Sequence, residues 1–338
     1  MTTGEQSWKD YLARELPVIE QLLSAHHGKL LSDQPRIKGE RFLIQALTTI
    51  GGKKLILLGV DTKTNEKVVI KATNDYQGKE ELKHERKCRT LLHGMKFSYE
   101  AFHSPKELHF IETEGYVLYV GEFIEQNSSF LERPLPEQFS FSLNALKSQE
   151  ETRATTAAHI ITVKRVFGTR TSADYLLMIR GFLRKISKPG QFAEIIPIIK
   201  SVQVELEINQ DRIEQYCGFL THTDFVPHNF RIKDDTLYLL DFSSLRFGNK
   251  HESWARFLNF MTLYNPGLET LLANYVKENR SQEEQESLHL MRLFRLTEII
   301  AYYVGTLERS EEALYKLNTA RVYFWSEVLK AELANTVV

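Results

Sequence analysis

The sequence predicts an α+β chain in which a small antiparallel β part precedes a larger, mostly helical part. Three observations carry this expectation. Between about residues 42 and 123, short apolar runs alternate with turn residues at strand spacing. From Phe139 to Gly218, and again after Glu252, apolar residues recur at three-and-four spacing, as on the buried face of a helix. Between those helical stretches, residues 220–247 read LTHTDFVPHNFRIKDDTLYLLDFSSLRF, a polar turn followed by two short strands.

Length and composition set the frame. A chain of 338 residues with 42% hydrophobic content buries a large core and divides into two parts, read here as 1–127 and 128–338. A net charge of -1 gives no electrostatic case for nucleic acid or an anionic membrane surface as partner, and it leaves the oligomeric state open. Two cysteines, Cys88 and Cys217, imply no disulfide framework and a reducing compartment. The opening MTTGEQSWKDYLARE carries acids and does not read as a secretory leader, and no run of about 18 apolar residues is present. The expected location is cytoplasmic.

The first helix is expected over 5–27, with Trp8, Leu12, Leu16, Ile19 and Leu23 on one face, Pro17 as a possible break and Gly28 as the stop. Strands follow at 42–48, 54–60 and 67–72, the first two joined at Gly51-Gly52. Those glycines either bring backbone N–H groups close to phosphate oxygens or make an ordinary hairpin turn. The third strand ends on Lys71, and the next helix carries Glu81 and Glu85 one turn apart on one face. Strands at 108–112 and 116–123 complete a five-strand set. Pro134 and Pro136 predict a loop over 132–137, and helices are expected at 151–167, 172–186 and 191–207. Later helices are expected at 252–264, 267–278, 282–307 and 311–333. The cluster Lys164, Arg165, Arg170 reads as a solvated helix end, where cations are favourable.

The chemistry concentrates in the central stretch. His222, Asp224, His228 and Asn229 crowd one turn, strands at 229–233 and 237–240 meet at Asp234-Asp235, and the second strand delivers Asp241. Polar groups placed among buried strands cost free energy unless they are paired or used. Asp224 and Asn229 are five residues apart, and Asn229 and Asp241 are twelve apart, a separation that a hairpin closes. A loop carboxylate able to orient or deprotonate a hydroxyl, with an amide oxygen and a second carboxylate able to hold a metal on nucleotide phosphates, is the division of labour of kinase-type phosphoryl transfer. Other readings of the same residues are a structural polar loop and a metal-dependent hydrolase with His222, Asp224, His228 and Asp241 as ligands.

The pattern His-x-Asp-x4-Asn, followed by a strand ending in Asp-Phe, resembles the catalytic core of the aminoglycoside phosphotransferase and choline kinase group. The resemblance spans about 42–264 and implies a two-lobed protein-kinase-like fold and a small-molecule kinase using ATP or GTP with Mg²⁺. It also implies site roles. Asp224 is the catalytic carboxylate, His222 braces the loop, and Asn229 and Asp241 hold the metal. Lys71, aligned by Glu85 or alternatively by Glu81, steadies the phosphates, and Glu122 to Ile124 form the adenine-facing hinge. Gly248 and Glu252 occupy the places of the group's glycine and helix-opening acid. Thr223 stands where the group usually has glycine, and Ser243-Ser244 replace its acidic or glycine residue. A catalytically silent relative that binds nucleotide is the runner-up. For the acceptor, Glu298 and Tyr302 share a helix face that would suit a cationic hydroxyl compound, whereas Arg292 and Arg295 nearby would suit an anionic one.

Overall fold

The computed structural model describes residues 3–34, 54–95, 102–113, 115–153 and 157–335. The strand expected at 42–48 and the Gly51-Gly52 turn lie outside these residues. The chain forms two compact units: 1–84 with 105–124 and 306–318, and 85–104 with 125–305 and 319–338.

The first unit is built on a five-stranded antiparallel sheet in the order β1-β2-β3-β5-β4. Its strands are β1 (Gly28–Leu30), β2 (Leu55–Asp61), β3 (Lys67–Thr73), β4 (Glu107–Glu112) and β5 (Val117–Glu122). Helix α1 (Thr3–Ser24) covers it and runs through Pro17 without a break. Burial of Ile19 and Leu23 against Leu57, Ile70 and Leu118 outweighs the hydrogen bond that the proline removes. Buried Glu15 ties the helix down, accepting from Asn74 Nδ2 at 2.8 Å and from the Tyr116 hydroxyl. Gly28 is not the helix stop. His27 takes the left-handed conformation (φ 60°), and Gly28 pairs with Asp61 in β1, a strand too short to show a sequence period. Asp75 caps helix α2 (Tyr76–Gly94), its carboxylate accepting the Gly78 N–H at 2.9 Å.

The second unit is mostly helical: α3 (Leu135–Glu150), α4 (Ala157–Phe167), α5 (Ser172–Ser187), α6 (Ile196–Ile208), α7 (Gln210–Gln215), α8 (Glu252–Tyr264), α9 (Pro266–Asn279), and most of α10 (Gln282–Leu307) and α11 (Glu312–Ala334). The loop expected around Pro134 and Pro136 is the start of α3. Pro134 is its N-cap residue and Pro136 lies in its first turn, where a missing N–H leaves no helical partner wanting. Two small ribbons stand among the helices. Strand β6 (Phe219–His222) pairs with β9 (Leu245–Gly248), and β7 (Phe230–Lys233) with β8 (Thr236–Leu239). Asp234 and Asp235 both have positive φ, the geometry that matches a two-residue hairpin turn to strand twist. No described helix is long and apolar enough to cross a membrane.

Beneath the polar loop lies an aromatic cluster. Phe225 meets Phe230 at 4.6 Å and Phe257 at 5.5 Å between ring centroids, and Phe130 meets Phe230 edge-on at 5.3 Å. Phe225 directly follows Asp224, so burial of its ring fixes the loop's path. Phe257→Ala should therefore destabilise the second unit by about 3–5 kcal/mol. Urea unfolding checks this: the midpoint should fall, and a shift of a few tenths of a kcal/mol would mean that the cluster does not anchor the loop.

Candidate active site

Strand β6 delivers the loop. The His222 N–H reaches Gln149 Oε1 and Ser253 Oγ, each at 3.0 Å, and Ser253 Oγ donates to Gln149 Oε1 at 2.7 Å. Helices α3 and α8 thus hold the strand end between them. The His222 ring is fully buried, and its Nε2 faces the Leu240 carbonyl at 2.9 Å, so Nε2 carries the proton. The His222 ring thus meets the backbone at the residue before Asp241. Its Nδ1 is buried without a hydrogen-bond partner among the described residues.

Asp224 is held from two sides. Its Oδ1 accepts from Arg256 Nε at 3.0 Å and Nη2 at 2.7 Å. Its Oδ2 accepts from Asn229 Nδ2 at 2.9 Å, and the same amide nitrogen donates to the Asp224 carbonyl. Burial alone would push the Asp224 carboxyl up, but the Arg256 guanidinium, through its charge and hydrogen bonds, outweighs it and brings the carboxyl down to about 2. Such a carboxylate is ionised and weakly basic, a better orienting group than proton acceptor.

Asn229 and Asp241 come together through the hairpin. The Leu240 N–H donates to the Asn229 carbonyl at 2.8 Å, which continues the β7–β8 pairing to the residue before Asp241. Asp241 itself is left-handed (φ 59°, ψ 59°), a conformation that short polar side chains tolerate. Its carboxylate accepts from the Ser243 hydroxyl and, at 3.2 Å, from that of Ser244. Because Asn229 Nδ2 is committed to Asp224, its Oδ1 is turned away and has no partner among the described residues. An amide oxygen and a carboxylate are hard donors that suit Mg²⁺, which takes one or two protein ligands and completes its shell with phosphate and water. The residues fit that ion. They do not fit a hydrolase centre: among the described residues no three His, Cys, Asp or Glu side chains are grouped to hold a metal.

No protein-family model matches the chain, and no curated protein matches it. Solved structures do. A thermostable mutant of aminoglycoside phosphotransferase APH(4)-Ia, in ternary complex with AMP-PNP and hygromycin B, aligns over 94% of this chain and 97% of its own, with a TM-score of 0.63 and 13% identity. Spectinomycin phosphotransferase APH(9)-Ia, with ADP and spectinomycin, aligns over 90% and 92%, with a TM-score of 0.56 and 14% identity. The ternary complex of APH(2'')-IIa with streptomycin and ATP aligns over 94% and 98%, with a TM-score of 0.56 and 10% identity. This chain has the aminoglycoside phosphotransferase fold.

Within that fold the two departures noted in the sequence meet each other. The Thr223 N–H and hydroxyl both donate to the Ser244 carbonyl, at 2.9 and 2.8 Å, while Ser243 and Ser244 hold the Asp241 carboxylate. Of the remaining expected residues, Lys71 lies in the first unit, opposite Ile56 and Tyr119, with its Nζ 5.7 Å from the centre of the Tyr119 ring. Glu85 belongs to the second unit and accepts from Arg89 Nη2 at 3.0 Å, both side chains being buried. Glu81, the alternative to Glu85, pairs with Lys54 at 2.6 Å. At the end of β5, the Glu122 N–H is taken by the Lys106 carbonyl at 2.9 Å, and Ile124 is buried. The Glu298 carboxylate is engaged by Arg295 at 2.6 Å, and Tyr302, half-exposed, stands edge-on to Tyr303.

Sequence reasoning missed Arg256. Its segment, WARFLNFM, reads as a core helix, and an arginine among apolar residues is the one signal there. It also missed the buried array in which Glu252 accepts from Tyr175 at 2.7 Å, from Arg295 at 3.1 Å and from Arg170, while Arg295 also reaches the Thr223 carbonyl. The Asp224–Arg256 pair has a pH signature. The folded-state pKa is depressed from 3.8 to about 2, so its stabilisation is present above about pH 4 and lost as pH falls through 2. The stability difference between wild type and Asp224→Asn should thus shrink on acidification across that window, as followed by denaturant melts. A difference constant with pH would mean that the carboxylate is not paired.

Proposed function

We propose that this chain is a small-molecule kinase that transfers the γ-phosphoryl group of ATP or GTP to a hydroxyl of a small polar acceptor. The observation that carries the reading is Asn229, whose amide nitrogen is committed to Asp224 while its amide oxygen is left for a cation next to Asp241. Neighbours of the same fold, with complexes containing AMP-PNP, ADP or ATP together with an antibiotic, support it.

Asp224 receives the acceptor hydroxyl on Oδ2 and aims its oxygen at the γ-phosphorus. The oxygen–phosphorus bond forms as the bond to the bridging oxygen breaks, and the nucleoside diphosphate leaves. With a carboxyl near 2, Asp224 takes the proton late, once bonding to phosphorus has acidified the hydroxyl, and passes it to solvent. Asn229 and Asp241 hold Mg²⁺, which supplies neutralisation of the phosphate charge. Lys71, aligned by Glu85, steadies the phosphates, and Glu122 to Ile124 offer backbone groups to the base.

Three measurements test this. Asp241→Ala should abolish Mg²⁺-dependent thermal stabilisation by ATP while the fold survives; equal shifts in wild type and variant refute the metal site. Asp224→Asn should keep nucleotide affinity and lower turnover by about 10²–10⁴-fold. If neither Mg²⁺ nor Asp224 matters although nucleotide binds, the silent-relative reading holds instead. Lys71→Ala should weaken nucleotide binding or turnover, and Glu85→Ala should do so less. The double variant should be no worse than Lys71→Ala, whereas additive losses would show that the two do not pair.

A further inference from the structure

Helix α8 aims an arginine at the catalytic carboxylate, and the hydrogen-bond accounting around it is nearly closed. A carboxylate offers about four acceptor positions. On Asp224, Arg256 occupies two at Oδ1 and Asn229 one at Oδ2, which leaves a single position, on Oδ2, for an acceptor hydroxyl. Arg256 is not used up in return. Its Nε and Nη2 serve Asp224, its Nη1 has no hydrogen-bond partner among the described residues, and its side chain is 20% exposed. A hydroxyl bound at Oδ2 therefore lies one carboxylate's width from a guanidinium edge with a donor to spare.

The surroundings argue against a cationic acceptor. Glu298, the carboxylate that would attract one, is held by Arg295 at 2.6 Å, and Arg295 is itself shared with Glu252 and the Thr223 carbonyl. Glu269 and Glu332, further acids on the late helices, are taken by Arg292 at 2.8 and 3.3 Å. One turn and two turns beyond Arg256 on the same face of α8 stand Phe260 and Tyr264, stacked at 4.2 Å, with the exposed His228 of the loop edge-on to both. The sequence along this face runs from a guanidinium to a flat aromatic shelf.

We propose that the acceptor is an oxyanion-bearing alcohol, with a carboxylate or phosphate next to the hydroxyl that is phosphorylated, and that Arg256 is the residue that selects it. With Nε and Nη2 held by Asp224, the Nη1 of a permanently charged guanidinium remains to give either oxyanion a charge-assisted hydrogen bond. This inference rests on Asp224 being the hydroxyl-binding carboxylate of a kinase.

The test uses a matched set of probes: glycerate and glycerol 3-phosphate as the two anions, glycerol as the neutral alcohol and 3-amino-1,2-propanediol as the cation. Binding to the full chain is measured by calorimetry, with and without Mg²⁺ and a non-hydrolysable ATP analogue, and KM and kcat are measured for any probe that is phosphorylated. Wild type should bind at least one anion more tightly than the neutral and cationic members, and the preferred anion names the oxyanion. Arg256→Gln also releases Asp224, so binding of glycerol should fall too, but binding of the preferred anion should fall about tenfold to a hundredfold further, since it alone loses a charge-assisted contact. Arg256→Lys, which keeps charge and bulk, should retain preference for anion over cation. Tighter binding of the cation, no binding of either anion, or an equal loss for all probes in Arg256→Gln would overturn the inference. Failure of the kinase reading appears separately, as nucleotide that does not bind in a Mg²⁺-dependent way while anion binding persists.

Discussion

The charge on Asp224 is the constraint from which the surrounding architecture follows. A carboxylate on a loop whose neighbours Phe225 and Val226 are buried needs compensation, because an uncompensated charge in such a place would neutralise itself by shifting its pKa upward. Compensation comes from α8 as Arg256 and from the loop's own end as Asn229. Each demands its own support. Arg256 stands within the field of Glu298 and Tyr303, and Arg295, which caps the Thr223 carbonyl, is balanced by Glu252, which also takes Arg170. Three guanidiniums alternate with three carboxylates, and Glu252, which accepts from Arg170, Tyr175 and Arg295, is fully buried. Removing one member of such an array strands the next, so the loop geometry is over-determined by charge as well as by aromatic burial.

Backbone geometry follows the same logic at Asp241. A left-handed aspartate is a mild strain that persists only where neighbours fix it. Here the fixing groups are Ser243 and Ser244, which donate to the carboxylate, and Thr223, which donates twice to the Ser244 carbonyl. The positions at which this chain departs from the resembled group therefore form one connected set. A hydroxyl at 223 binds the turn whose hydroxyls at 243 and 244 bind the Asp241 carboxylate, so one chain of hydrogen bonds runs through all three departures.

What the sequence made legible was what short-range pattern encodes. The His-x-Asp-x4-Asn spacing, the Asp234-Asp235 hairpin and helices 252–264 and 282–307 were readable because each is set by local turn chemistry or by a long apolar period. Strands β1 and β9, of three and four residues and without a hairpin turn of their own to mark them, were missed. Prolines misled twice, at Pro17 inside α1 and at Pro134 and Pro136 opening α3, because tertiary burial and helix-start geometry override the breaker rule. Arg256 was invisible as a site residue, and Arg295, read only as a group that would suit an anionic acceptor, was invisible as a support of the loop. They reach the loop across 32 and 72 positions of sequence, and nothing local marks an arginine on a buried helix as the partner of a distant carboxylate.

The division between loop and helix also bears on how such a site changes substrate. Each side chain of the loop's polar run makes a fixing contact: His222 to Leu240, Thr223 to Ser244, Asp224 to Arg256 and Asn229, Asn229 to Asp224. Altering any of these disturbs the reacting geometry, so the loop has little freedom to distinguish acceptors. The exposed face of α8 has that freedom. Arg256, Phe260 and Tyr264 are spaced one turn apart on a helix fixed from its other side by fully buried Trp254, Phe257, Leu258 and Met261. A scaffold rigid on one face and variable on the other lets one phosphoryl-transfer arrangement serve acceptors of different charge, with fold and chemistry held constant while recognition moves. In this chain that face begins with Arg256 paired to Asp224, and on the proposed reading the contact that orients the acceptor hydroxyl would also favour an oxyanion beside it.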